Sequence, residues 1–78
     1  MKKAEFLRLL ETTLEIEANV LTEESDLAGL EEFDSFAIMA LIVLIDEKFE
    51  KSLSAEDFEN ISTVASFVKI IGENNFED

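Results

Sequence analysis

The chain has no cysteine, histidine, tryptophan, tyrosine or proline. Without cysteine there is no disulfide framework and no thiolate metal site. Without cysteine and histidine together, structural zinc sites and triad-type nucleophilic catalysis are excluded. Bases are scarce as well: 6 Lys and Arg stand against 19 Asp and Glu, a formal net charge of −13. Such a field works against binding the phosphates of nucleic acid or the surface of anionic membranes. It favours solubility and fast encounter with basic protein surfaces. The longest apolar run, Phe36 to Ile45, is ten residues, too short to insert stably across a bilayer and long enough for a buried helix. After Met1-Lys2-Lys3 the charges of Glu5, Arg8 and Glu11 interrupt any apolar stretch of the signal-peptide kind, so a cytoplasmic protein is expected. Carboxylates, hydroxyls and a few amines remain, which is a poor kit for an enzyme.

Seventy-eight residues, 47% of them apolar, suit one small globular domain over 1–78. The charge is uneven: the first eight residues carry three bases and one acid, and the remaining acids and bases are eighteen and three. Phe6, Leu9, Leu10, Thr13 and Leu14 recur on one face of a 3.6-residue period and predict a helix over 3–17, with Glu5, Arg8, Glu11 and Glu15 on its wet face. Asn19 is the expected stop. Residues 18–34 form a long connection, whose Leu21, Leu27, Leu30 and Phe33 fit no single helix face and are expected to plug into the core. Thr22, Ser25 and Asp26 can cap a turn within it.

Asp34 and Ser35 stand in N-cap position before a second helix over 35–50, which its length separates from a buried strand. Ser54-Ala55-Glu56-Asp57 starts a short third helix to about residue 60 in the manner of a capping box. Ser62 or Thr63 caps a fourth helix, with Val64, Phe67, Val68 and Ile71 on its inner face and Gly72 at its end. Residues 73–78 are expected to fray. The expected fold is an all-α four-helix bundle, three longer helices and one short, with a long first loop. The unbalanced charge should make salt or divalent cations stabilising.

Asp34-Ser35-Phe36, at the mouth of the second helix of an acidic four-helix chain, resembles the attachment signature Asp-Ser-Leu of the acyl carrier proteins. The likeness extends over Asp26-Leu27-Ala28-Gly29-Leu30 in the loop, Asp46-Glu47-Lys48-Phe49-Glu50, Leu53 to Glu59, and Ile61-Ser62-Thr63-Val64. It implies a 4′-phosphopantetheine arm on Ser35, transferred from coenzyme A by a phosphopantetheinyl transferase, with Asp34 in support. It further implies acyl or aminoacyl groups carried as thioesters between loading and transfer enzymes, and no catalysis by the chain itself. The arm would supply the thiol that the sequence lacks. Electrostatics agree, since a helix N-terminus favours a phosphodiester.

The departures from the family pattern are informative. Phe36 replaces the usual Leu, Glu32 and Phe33 stand where a Gly is common, and Ala37 and Ala40 occupy positions that often hold acids. The resemblance implies a fatty-acid-like or a specialised lipid or secondary-metabolite pathway, and these departures favour the specialised one. Phe36, Met39 and Val43 follow Ser35 up one side of the second helix and read either as an apolar docking stripe or as core. Asp46, Glu47 and Asp57 are candidate contacts for basic patches on partners, or plain solvated charges. The carboxylates Glu23, Glu24 and Asp26 lack the spacing of an EF-hand, so no metal site is expected. A monomer is expected from the charge. The competing reading is an unmodified acidic adaptor that binds a basic protein through the second helix.

Overall fold

Apolar periodicity and caps divide the chain into four α-helices in the computed structural model, which describes residues 1–77: α1 (Lys3–Leu14), α2 (Ser35–Phe49), α3 (Ala55–Phe58) and α4 (Val64–Ile71). A 3₁₀ turn, Glu73–Asn75, follows. The only ladder contact among the described residues is an isolated bridge between Asp26 and Thr63. The all-α, four-helix expectation is met, with α3 the short member. No helix among the described residues is long and apolar enough to cross a membrane.

The core gathers the inner faces of the helices around a chain of phenylalanines. Phe6 is its hub, with ring centroids 6.1, 5.3 and 5.3 Å from Phe49, Phe67 and Phe76 in edge-on packing. Phe67 continues the chain to Phe58 at 5.4 Å. Such edge-to-face pairs suit the ring quadrupole and add to the burial term. Leu10 and Leu14 of α1, Leu41 and Ile45 of α2, and Val64, Val68 and Ile71 of α4 fill the space around the rings.

Three expectations are corrected. Helix α1 ends at Leu14 instead of residue 17, because Glu15 adopts the left-handed conformation (φ 59°) and its N–H closes the helix on the carbonyls of Glu11 and Thr12. Glu11, assigned to the wet face, is buried at 2% exposure; it satisfies backbone donors of the loop, as described below. Residues 73–77 of the supposedly frayed end are held. Phe76 is buried against Phe6 and Phe49, the Glu77 N–H donates to the Met1 carbonyl (3.1 Å), and the N-terminal ammonium lies 3.4 Å from the Glu77 carboxylate. Residue 78 lies outside the described residues.

The long loop is stitched at both sides. Leu21 and Leu27 are buried as expected, and Leu30 and Phe33 are partly buried against the core. Its carbonyls at Glu23 and Ser25 accept the N–H groups of Ala65 (2.8 Å) and Val64 (3.1 Å), first-turn donors of α4 that have no partner within their own helix. In return the Leu27 and Ala28 N–H groups donate to the Ser62 carbonyl at 2.8 and 3.2 Å.

The charge of −13 sits on this small core, offset in part by ion pairs such as Met1–Glu77, Lys3–Glu23 and Arg8–Glu11. Raising ionic strength from about 0.01 M to 0.15 M shortens the screening length from ~30 to ~8 Å. Thermal unfolding at the two salt levels is expected to show a gain of about 4–8 °C in Tm, corresponding to ~1 kcal/mol in a domain of this size. A Tm that stays level or falls would mean that self-repulsion is not what limits stability.

Candidate functional site

The mouth of α2 is built by Asp34. Its backbone is extended (φ −106°, ψ −174°), and its carboxylate accepts the N–H of Ala37 at 3.0 Å while its carbonyl accepts that of Ile38 at 2.9 Å. This is a complete N-cap. Ser35 is therefore the first helical residue, exposed, and its hydroxyl has no hydrogen-bond partner among the described residues. The N–H groups of Ser35 and Phe36 likewise have no acceptor among the described hydrogen bonds, so they face outward at the positive end of the helix dipole. An anion held on Ser35 would meet two donors and a favourable field. Asp34→Ala should remove the cap and cost about 1 kcal/mol, read as a shift in the urea midpoint with an unchanged slope.

Beyond Ser35, α2 has no charged residue until Asp46. Ala37, Leu41 and Ile45 are buried, whereas Phe36, Met39 and Val43 are 88%, 68% and 56% exposed. Their spacing of three and four residues places them on one side, which continues from Ser35. These three side chains are thus exposed and not part of the core. Asp46 and Glu47 are exposed at the far end of α2, where acids oppose the helix dipole. Asp57 is half-buried, and its Oδ2 accepts the Ser54 N–H (2.9 Å) and hydroxyl (3.2 Å), which ties it to the start of α3.

A groove of about 350 Å³ opens beside Ser35, between the end of α1 and the start of α2. Leu14, Ala37 and Ala40 supply apolar walls, and Glu15, Glu32 and Asp34 supply carboxylates. No group of three or more His, Cys, Asp or Glu among the described residues is placed to hold a metal ion.

Glu11 forms a clamp between α1 and the long loop. The Glu11 carboxylate accepts the backbone N–H groups of Asn19 (3.0 Å), Val20 (2.9 Å) and Leu21 (2.8 Å), and the Arg8 Nε lies 3.0 Å from it. Arg8 also donates to the Asn19 side chain and to the Leu21 carbonyl. Burial pushes the Glu11 carboxyl up, but the N–H groups of Leu21, Asn19 and Val20, with the Arg8 charge, outweigh it and hold the group below its ordinary value. Periodicity misplaced this residue. The available signal was its position four residues after Leu7 and three before Leu14, which puts it at the margin of the apolar face rather than opposite it.

A family model described as a phosphopantetheine attachment site matches residues 4–71. No curated protein and no solved structure matches the chain.

Proposed function

The chain belongs to the phosphopantetheine-attachment family, whose members carry acyl groups on a 4′-phosphopantetheine arm and are not themselves catalysts, and from that premise we propose that Ser35 bears the arm. The observation that carries this assignment is an exposed, uncommitted hydroxyl at the first position of a capped helix, beside two free N–H groups. When bound, the arm supplies the thiol on which acyl groups ride as thioesters. The chain's own work is positional. Asp34 fixes the first turn of α2, so that Ser35 presents its oxygen to a phosphopantetheinyl transferase, and the helix end then stabilises the phosphodiester charge.

Acyl-handling enzymes and the transferase are the family's partners. Here they dock on the side formed by Phe36, Met39 and Val43, with Asp46 and Glu47 meeting basic patches at its far end and Asp57 contributing from the start of α3. An apolar side of this size beside the attachment point is unusual on a solvated helix and supports a contact role. The near-absence of acids along α2, together with Phe36, Ala37 and Ala40, favours dedication to one specialised lipid or secondary-metabolite pathway, with acyl or aminoacyl cargo, over general fatty-acid synthesis. The protein works as a single-domain monomer in the cytoplasm, where coenzyme A supplies the arm; its charge of −13 supports the monomer.

The test is intact mass after incubation with coenzyme A, Mg²⁺ and a broad-specificity transferase, followed by peptide mapping. A gain of one phosphopantetheine unit located on Ser35 is expected. A folded protein that gains nothing, beside a control carrier that is loaded, would favour the acidic adaptor.

A further inference from the structure

We propose that this carrier shelters its cargo on the loop side of the bundle: the arm lies along the α1–α2 groove, and a short, uncharged acyl group lodges in an apolar hollow formed by Ile16, Val20, Leu21 and Leu30. The inference rests on Ser35 being the attachment point.

Asp34 and Phe36, the neighbours of Ser35 on either side, both line the groove. Glu32 lines the groove and also the hollow, which measures about 440 Å³, so the two share a wall. Each is within the ~300–1,000 Å³ usual for small-molecule sites. The chemistry along the path changes in the order that a pantetheine arm and its cargo would require. Near Ser35 the groove presents the carboxylates of Glu15 and Glu32 and the hydroxyl of Thr13, acceptors for the amide N–H and hydroxyl groups of pantetheine. Farther on, Ile16, Val20, Leu21 and Leu30 supply alkyl walls, beside Ser25 and three carboxylates.

Val20 is the one large apolar residue off α2 that stands exposed among the described residues, at 50%, and it lines this hollow. Its backbone is already fixed, because Glu11 holds the N–H groups of Asn19, Val20 and Leu21. The wall is formed before a ligand arrives, which lowers the entropic cost of binding. On the opposite side, Leu41, Ile45, Phe58 and Ile61 are buried in the packed core, and an acyl group there would have to displace them. The rim of the hollow carries Glu17, Asp26 and Glu32, so an acyl group that ends in a carboxylate is repelled.

The experiment loads Ser35 from hexanoyl-coenzyme A with the transferase and confirms the mass, using methyl-labelled protein. Nuclear Overhauser contacts from the acyl protons to the methyls of Ile16, Val20 and Leu30 are expected. They should be lost in Val20→Asp and in Ile16→Asp while the amide shifts of α4 stay in place, and malonyl-loaded protein should show none. Loaded protein whose acyl protons touch Leu41, Ile45 and Ile61, or touch no methyl at all, overturns the proposal and leaves the attachment reading standing. A chain that gains no mass overturns both.

Discussion

Ser35→Ala protein is expected to gain no phosphopantetheine under conditions that load the wild type completely, and to fold as well as the wild type. The loss should be total because covalent attachment needs that oxygen, and the other hydroxyls at helix starts are committed. Ser54 is tied to Asp57, and Thr63 accepts the N–H of Ser66. Stability should change by no more than about 0.5 kcal/mol, since Ser35 is exposed and the capping is done by Asp34. Unfolding in urea and intact mass, measured on the same preparation, separate the two effects. Pull-down with a partner enzyme adds a third reading. Binding that persists without the arm maps the docking side to the protein surface. Full biological activity in Ser35→Ala would mean that the arm is dispensable and the adaptor reading is right.

Glu11→Ala is expected to be the most damaging single substitution outside the phenylalanine core, costing about 3–5 kcal/mol. It removes, from a buried side chain, the acceptor for three backbone N–H groups and the counter-charge of the partly exposed Arg8. Against a total stability of roughly 5–15 kcal/mol for a domain of this kind, that is a large share. Glu11→Gln keeps an accepting oxygen but turns an amide NH₂ towards backbone donors, so it should fall between the wild type and Glu11→Ala.

The pH dependence follows from the direction of the Glu11 shift. Its carboxyl titrates lower in the folded chain than the ordinary 4.5. The stabilisation is therefore complete above that ordinary value and is lost as pH falls through the folded one. The stability gap between wild type and Glu11→Gln should be constant from neutral pH down to about 5 and close below it. Comparing the two proteins cancels the separate relief of charge repulsion that acid brings to both. A gap that is flat to pH 3 would show that the carboxylate charge is not what the clamp uses.

Much of this protein was legible in its sequence because local rules decide it. The four-residue spacing of Phe6, Leu10 and Leu14, the Asp34 cap, the capping box of Ser54 and Asp57, and the stripe from Val64 to Ile71 each depend on residues within about two turns of one another. Asp34-Ser35-Phe36 could be located at the start of α2 for the same reason. What α2 exposes was not legible. Its apolar residues run almost unbroken from Phe36 to Ile45, so periodicity cannot tell a buried face from a bare one, and only the packing of Ala37, Leu41 and Ile45 against the other helices leaves Phe36, Met39 and Val43 outside.

The same division holds for the long loop and the C-terminal end. Composition and periodicity by themselves determined an acidic all-α chain and its helix starts; the resemblance of Asp34-Ser35-Phe36 to the acyl carrier signature is what singled out Ser35. Tertiary structure alone decided that Glu11 is buried, that Phe76 closes the phenylalanine cluster, and that Val20, Leu30 and Glu32 meet around a hollow that shares Glu32 with the groove at the start of α2. The physical reason is the distance along the chain. A carboxylate goes inside only if backbone donors eight to ten residues away come to meet it, and a ring seventy residues from its neighbour gains from burial only once the bundle has closed.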